Sequence, residues 1–73
     1  MTIVNLNRTS FVQVNTAAQR VQVFGGRVRI ADTATPSADD WQVWPEGVVV
    51  DIVTVKFAQA VDSTPTWLVV QSA

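Results

Sequence analysis

Hydrophobic and polar residues alternate along most of this chain, and turn-forming residues interrupt the alternation at short intervals. A period of two sends successive side chains to opposite faces of a strand. In residues 11–15, Val12 and Val14 share one face, and Phe11, Gln13 and Asn15 share the other. The clearest local signal spans residues 20–31, where two alternating runs flank Gly25-Gly26. Glycine reaches the positive φ that tight hairpin turns require. This spacing predicts a hairpin with Val23 opposite Val28 and Val21 opposite Ile30 on the core side. Phe24 then faces Arg27, Gln22 faces Arg29, and Arg20 faces Ala31 on the outer side. Residues 32–40 form a loop broken at Pro36, with one capped helical turn expected at Ser37–Asp40. Trp41–Trp44 reads as a short extended segment ended by Pro45-Glu46-Gly47.

Residues 48–60 look like one long strand whose phase does not hold. Val48, Val50 and Ile52 share one face, whereas Val53, Val55 and Phe57 share the other. The inward face therefore changes between Ile52 and Val53, which predicts a bulge, or a corner where the chain passes from one sheet to another. Residues 62–66 form a turn, residues 67–71 the last strand, and residues 2–6 a weak strand or extended arm. No segment carries the sustained i, i+3, i+4, i+7 apolar stripe of a helix. The pattern predicts an all-β chain: a small antiparallel β-sandwich or partly open β-barrel of about six or seven short strands. Residues 1–8 are expected to be an N-terminal extended arm and residues 9–73 a single sandwich domain. The expected core is Val12, Val14, Val21, Val23, Val28, Ile30, Val55, Phe57, and Val69 or its neighbour Val70.

Composition strengthens the strand reading. Fifteen Val stand against two Leu, and Val, Ile and Thr make up 26 of the 73 residues, a β-branched bias that favours strands. The length leaves room for one small domain. A formal net charge of −1 speaks against nucleic acid as a partner. With no Cys there is no disulfide and no thiolate zinc site. With no His, the commonest general base and the commonest metal ligand are both missing. Apolar runs such as residues 47–50 are short, so no membrane span is expected. No positively charged start precedes an apolar stretch, so no secretory leader is expected either. These features argue against an enzyme and for a structural or binding module without a cofactor or metal.

The candidate chemistry is thin. Asp32-Thr33-Ala34 resembles the start of an aspartic-protease site, but Ala34 stands where that motif needs Gly, and the plainer role is a carboxylate at a strand exit. Asp39, Asp40 and Glu46 lack the alternating acids of a calcium loop and read as a solvated acidic loop. Lys56 has no Ser at a spacing that would bring the two together. Gly25-Gly26 lies between strands rather than ahead of a helix, so it is no phosphate cradle.

Three features point to a contact surface instead. Arg20, Arg27 and Arg29 are expected on one outward hairpin face beside Phe24, while Asp39, Asp40, Glu46, Asp51 and Asp62 lie in the second half of the chain. Trp41, Trp44 and Trp67 exceed what so small a core hides, so at least one is expected at an interface. Ile3, Val4 and Leu6 are apolar, yet an arm gains little unless another surface covers it. Met1 to Asn7 is therefore expected to reach across to a neighbour in a homo-oligomer, which would also relieve the marginal stability of a domain this size.

The hairpin written Val23-Phe24-Gly25-Gly26-Arg27-Val28-Arg29-Ile30-Ala31, the Ala34-Thr35-Pro36 loop and the Trp-bearing segment that follows resemble small virion proteins of tailed bacteriophages. That group includes capsid decoration (cement) proteins and other head or tail accessory subunits, and the resemblance covers most of the chain in pattern. It implies a non-enzymatic β-sandwich or barrel, frequently a trimer, made in the host cytoplasm and placed on the capsid surface. There it would bridge and stabilise neighbouring copies of the major capsid protein or another virion protein. The alternative is a module associated with a tail fibre or baseplate, whose Trp residues stack on host-surface glycans.

Overall fold

In a computed structural model, described for residues 1–37 and 40–72, these residues form eight strands and no helix. The strands are β1 (Thr2–Asn5), β2 (Val12–Gln13), β3 (Gln19–Phe24), β4 (Val28–Ala31), β5 (Trp41–Trp44), β6 (Val49–Ile52), β7 (Phe57–Ala60) and β8 (Trp67–Ser72). They make two antiparallel four-stranded sheets that do not close into a barrel. Sheet A has the order β1-β8-β3-β6 and sheet B the order β2-β7-β4-β5. Only β4 and β5 are both consecutive in the chain and adjacent in a sheet; every other connection crosses between the sheets. This strand order is that of a jelly roll, two Greek keys wrapped into a sandwich. The shortest dimension is 16 Å, as two sheets about 10 Å apart require.

The all-β sandwich expected from the sequence is therefore present, with eight strands rather than six or seven. The hairpin is not. β3 pairs with β8 and β6, and β4 pairs with β7 and β5, so Gly25-Gly26 carries the chain from sheet A to sheet B. Val21 stands beside Val70 and Val50, and Val28 beside Ala60 and Trp44, instead of facing one another in a ladder. The reason is that both edges of β3 are already taken. The alternation still does its work, because Val21, Val23, Val28 and Ile30 are all buried, now in opposite layers of one core.

The arch depends on its glycines in two ways. Gly25 has φ 88°, a left-handed conformation, and a Cβ there would lie 2.0 Å from the Pro65 carbonyl oxygen. Gly26, where the sequence reading also wanted positive φ, does not have it; a side chain there would meet Thr66 Oγ1 at 2.9 Å.

The N-terminal segment is not a free arm. β1 pairs with β8 in register Thr2↔Val70 to Asn5↔Trp67, and Leu6 donates its N–H to the Thr66 carbonyl at 3.0 Å. A period of two then turns Val4 and Leu6 onto the core and leaves Ile3 60 % exposed.

A corner between sheets, one of the two outcomes the pattern offered, does lie in residues 48–60, for β6 belongs to sheet A and β7 to sheet B. The expected change of inward face does not occur: Ile52, Ala58 and Ala60 keep the same alternation. The inward residues after the corner are Ala58 and Ala60. Phe57 is half-buried on the outer face and Val55 is exposed, so neither is core; Val12 and Val69 are half-buried, while Val70 is buried. The corner consumes the segment between the strands, and the same phase resumes afterwards. Asn15, expected on an outer face, is 4 % exposed and braces this corner. Its Nδ2 donates to the Thr54 and Ala17 carbonyls, and its Oδ1 accepts from Lys56 N–H. The turn expected at Ser37–Asp40 contains residues 38 and 39, which lie outside the described residues; Asp40 N–H donates to the Ser37 carbonyl.

The core joins Leu68, Val21, Val23, Val28 and Val70 with Val14, Ile30, Ile52 and Ala58, and Trp44, Val48 and Val50 pack against it. Two glycine substitutions separate the effects at the arch. Gly47 also has positive φ (86°) but open space around it, so Gly47→Ala is expected to cost about 1 kcal/mol from backbone conformation alone. Gly25→Ala adds displacement of the Pro65 backbone and is expected to lower the melting temperature several times as much. Equal melting shifts for the two variants would contradict the close approach at the arch.

Candidate interaction surface

With Val21, Val23, Leu68 and Val70 inward, their neighbours stand on the outer face of sheet A. The strand registers arrange these in rows. Ile3, Val69, Gln22 and Val49 form one row across all four strands, Asn5, Trp67 and Phe24 a second, and Gln71, Arg20 and Asp51 a third. Phe24 and Trp67 stack with ring centroids 5.8 Å apart and planes at 11°. Arg20 Nε donates to Asp51 Oδ1 at 2.8 Å and holds that carboxyl below its usual range. The face thus carries an apolar group of Ile3, Val69, Val49, Phe24 and Trp67 interrupted by Gln22 and Asn5, with a neutralised ion pair beside Gln71 at its end.

The outer face of sheet B is already occupied by the chain's own side chains. The Arg29 guanidinium lies 5.2 Å from the Trp41 ring centroid and donates to Gln59 Oε1 at 3.0 Å. Gln59 Nε2 donates in turn to the Arg8 carbonyl, and Phe11 leans on Trp41 at 6.5 Å. Ala31 and Gln59 are buried beneath these groups.

The three arginines expected on one face are therefore dispersed, because the arch turns one run of the supposed hairpin to the opposite side of the sandwich. Arg20 is on sheet A, Arg29 on sheet B, and Arg27 at the arch. Arg27 is held there by Asp62, which accepts the Arg27 backbone N–H at 2.9 Å and its Nη2 at 2.8 Å. The charge segregation along the chain is cancelled within the molecule by the pairs Arg20–Asp51, Arg27–Asp62 and Lys56–Asp32.

Of the tryptophans, Trp44 is half-buried and packs on the core, while Trp41 and Trp67 are half-buried against Arg29 and Phe24. Asp32 is spent on Lys56, and Glu46 accepts the Gly25 N–H at 3.1 Å. Asp39 lies outside the described residues.

Two open cavities indent the surface. One of about 350 Å³ is lined by Thr2, Gln13, Asn15, Thr16 and Gln19. The other, of about 260 Å³, is lined by Asp32, Asp40, Trp41, Gln42, Trp44 and Lys56. Among the described residues no three His, Cys, Asp or Glu side chains converge as a metal site would need.

Sequence reasoning missed the Phe24–Trp67 stack, whose partners are far apart in the chain, and the Asn15 brace. An Asn followed by the small residues Thr16, Ala17 and Ala18 was the only available sign of the latter. In comparison with known proteins, the chain matches no family model, no curated protein and no solved structure.

The large apolar residues that stand exposed fall in a few places. Met1 (88 %) and Ile3 (60 %) are on or beside β1, Val43 (50 %) is on β5, Val49 (52 %) is on β6, and Val53 (79 %) and Val55 (39 %) follow β6. β1 and β6 are the two edges of sheet A, and β5 is an edge of sheet B. Among the described residues, the exposed large apolar side chains thus lie on or beside edge strands, except Val53 and Val55, which lie in the corner between β6 and β7.

The arch carries a pH signature. Hydrogen bonds from the Arg27 side chain and backbone hold the Asp62 carboxyl at about 2, below its ordinary value. Such a group stabilises the fold above its unfolded-state value, and the contribution is lost as pH falls through the folded-state value. Asp62→Asn is expected to melt slightly below wild type near neutral pH, with the gap closing between about pH 4 and about pH 2. A gap independent of pH would mean that the carboxylate charge is not what holds Arg27.

Proposed function

We propose that this chain is a non-enzymatic structural subunit of a bacteriophage virion. It sits as a homo-oligomer on the capsid surface and stabilises the shell by bridging neighbouring capsid protein copies. A trimer is the count implied by the resemblance to decoration proteins. The observation that carries the reading is the outer face of sheet A, where the Phe24–Trp67 stack and Val69 lie between the exposed Ile3 and Val49.

Scale supports a many-copy setting. Four strands about 4.8 Å apart and four to six residues long offer a face of roughly 300 Å². A stable two-protein interface buries about 800 Å² per partner, so one such contact is weak. Repetition over a symmetric shell turns weak contacts into stability through multivalency. The jelly-roll topology adds an argument by analogy, since viral shell proteins use it, as do lectins.

The glycan-binding alternative finds less support in the rings themselves. Trp41 is engaged by Arg29 and Phe11, Trp67 by Phe24, and Trp44 by the core.

Particles lacking the subunit are expected to assemble but to release their contents at lower temperature. Adding back purified wild-type chain restores heat resistance, whereas Phe24→Ser chain, checked for a folded melt, does not. Particles as heat-resistant without the subunit as with it would overturn the reading. If they also failed to adsorb to host cells, the tail-associated glycan module would take its place.

A further inference from the structure

We infer that copies of this chain join head to tail through the lateral edges of sheet A, β1 of one copy lying beside β6 of the next. The inference rests on the reading above, that the chain works in many copies, and it names the contact between them.

The first support is where the exposed apolar residues lie. Met1 and Ile3 mark one edge of sheet A and Val49 the other, while Val53 and Val55 stand exposed in the corner that leads from β6 to β7. The central strands β3 and β8 expose none.

The second is the lack of edge protection. Edge strands normally carry charges, proline or bulges that block pairing with another chain. β1 reads Thr2-Ile3-Val4-Asn5, with neither charge nor proline. The single charge of β6, Asp51, is neutralised by Arg20 of the same molecule. In sheet B, β2 has only two residues and is too short to template a neighbour, so β5, which is four residues long, uncharged and exposes Val43, has no complementary edge on the other side of its sheet.

The third is strand direction. Every pair in sheet A is antiparallel and there are four strands, so β6 runs opposite to β1. Setting β1 of one copy beside β6 of another continues the antiparallel alternation without a break. In the register that extends the outer rows, Ile3 stands beside Val49 of the neighbouring copy, and the row Ile3–Val69–Gln22–Val49 runs on from copy to copy.

The occupant follows from what each arrangement leaves open. A two-fold pairing of β1 with β1 would leave Val49 bare, and a pairing of β6 with β6 would leave Met1 and Ile3 bare. The head-to-tail contact covers both edges of every interior copy with a single kind of interface, where two-fold pairings would need two. Such heterologous contacts close into a ring or continue as a filament, according to their rotation.

Sedimentation velocity on two variants tests this. Ile3→Lys spoils the β1 edge and Val49→Lys the β6 edge; both positions are more than half exposed, and a wild-type-like melt verifies folding. Wild type is expected to associate as concentration rises. Each variant alone is expected to associate at least about tenfold more weakly, a shift of about 1.4 kcal/mol or more. An equimolar mixture is expected to form a one-to-one dimer that grows no further, because each variant keeps the edge that the other has lost. The milder pair Ile3→Thr and Val49→Thr gives the same pattern, reduced, should either lysine variant melt early. A Val49→Lys chain that still dimerises alone would establish β1–β1 pairing and overturn the inference, as would an Ile3→Lys chain that does so through β6. A wild type that stays monomeric, or a mixture that does, also overturns it. None of these outcomes bears on heat resistance of particles, which tests the shell role separately.

Discussion

The close approach of Pro65 to Gly25 is the constraint on which the rest of this sandwich depends. The Pro65 carbonyl occupies the place of a Gly25 side chain, and the positive φ of Gly25 lets the chain turn out of sheet A there. Thr64 Oγ1 donates to the Gly25 carbonyl, Gly25 N–H donates to Glu46, and Asp62 takes both the backbone and the side chain of Arg27. Three loops from distant parts of the chain are thereby tied to one end of the sandwich. Because β3 and β4 are parted at this point, β8 and β6 can flank β3 while β7 and β5 flank β4.

A core built on valine and alanine is thin, and a domain of this size buries a modest share of its unfolded surface. The three surface ion pairs add little, being exposed and screened. What compensates inside the chain is the completeness of its polar bonding. No buried side-chain nitrogen or oxygen among the described residues lacks a partner, and Asn15 alone satisfies three backbone groups, two of them in the corner after β6 and one in its own loop. The apolar surface that remains lies on one face, at the lateral edges and in the corner after β6, and packing by neighbouring copies would cover the first two.

How much of this was legible in the sequence divides along a physical line. Which residues face inward is a local property of period two, and Val14, Val21, Val23, Val28, Ile30 and Val70 were readable as core for that reason. The passage between sheets after Ile52 was among the outcomes read from the pattern, but the change of inward face that suggested it is absent, because Val53 and Val55 stand exposed in the corner and Ala58 and Ala60 face the core. Which strand lies beside which is a non-local property. A glycine pair between two alternating runs has the same pattern in a hairpin as in an arch, and only competition from β6 and β8 for the edges of β3 decides the matter. That one ambiguity misplaced Arg20, Arg27 and Arg29 together, since their shared face existed only in the hairpin. Ile3, Val4 and Leu6 were legible as apolar, but the claim of β8 on them as a fourth strand was not.

Copies of this chain are proposed to meet at the edges of sheet A. Amide hydrogen exchange, followed residue by residue from dilute to concentrated solution, reads this directly. β1 and β6 have backbone groups without partners inside the chain, and these should become protected together as concentration rises, while β2 and the loop after β4 remain unchanged. Exchange at β1 and β6 that is the same at every concentration, or protection of one edge without the other, would contradict it.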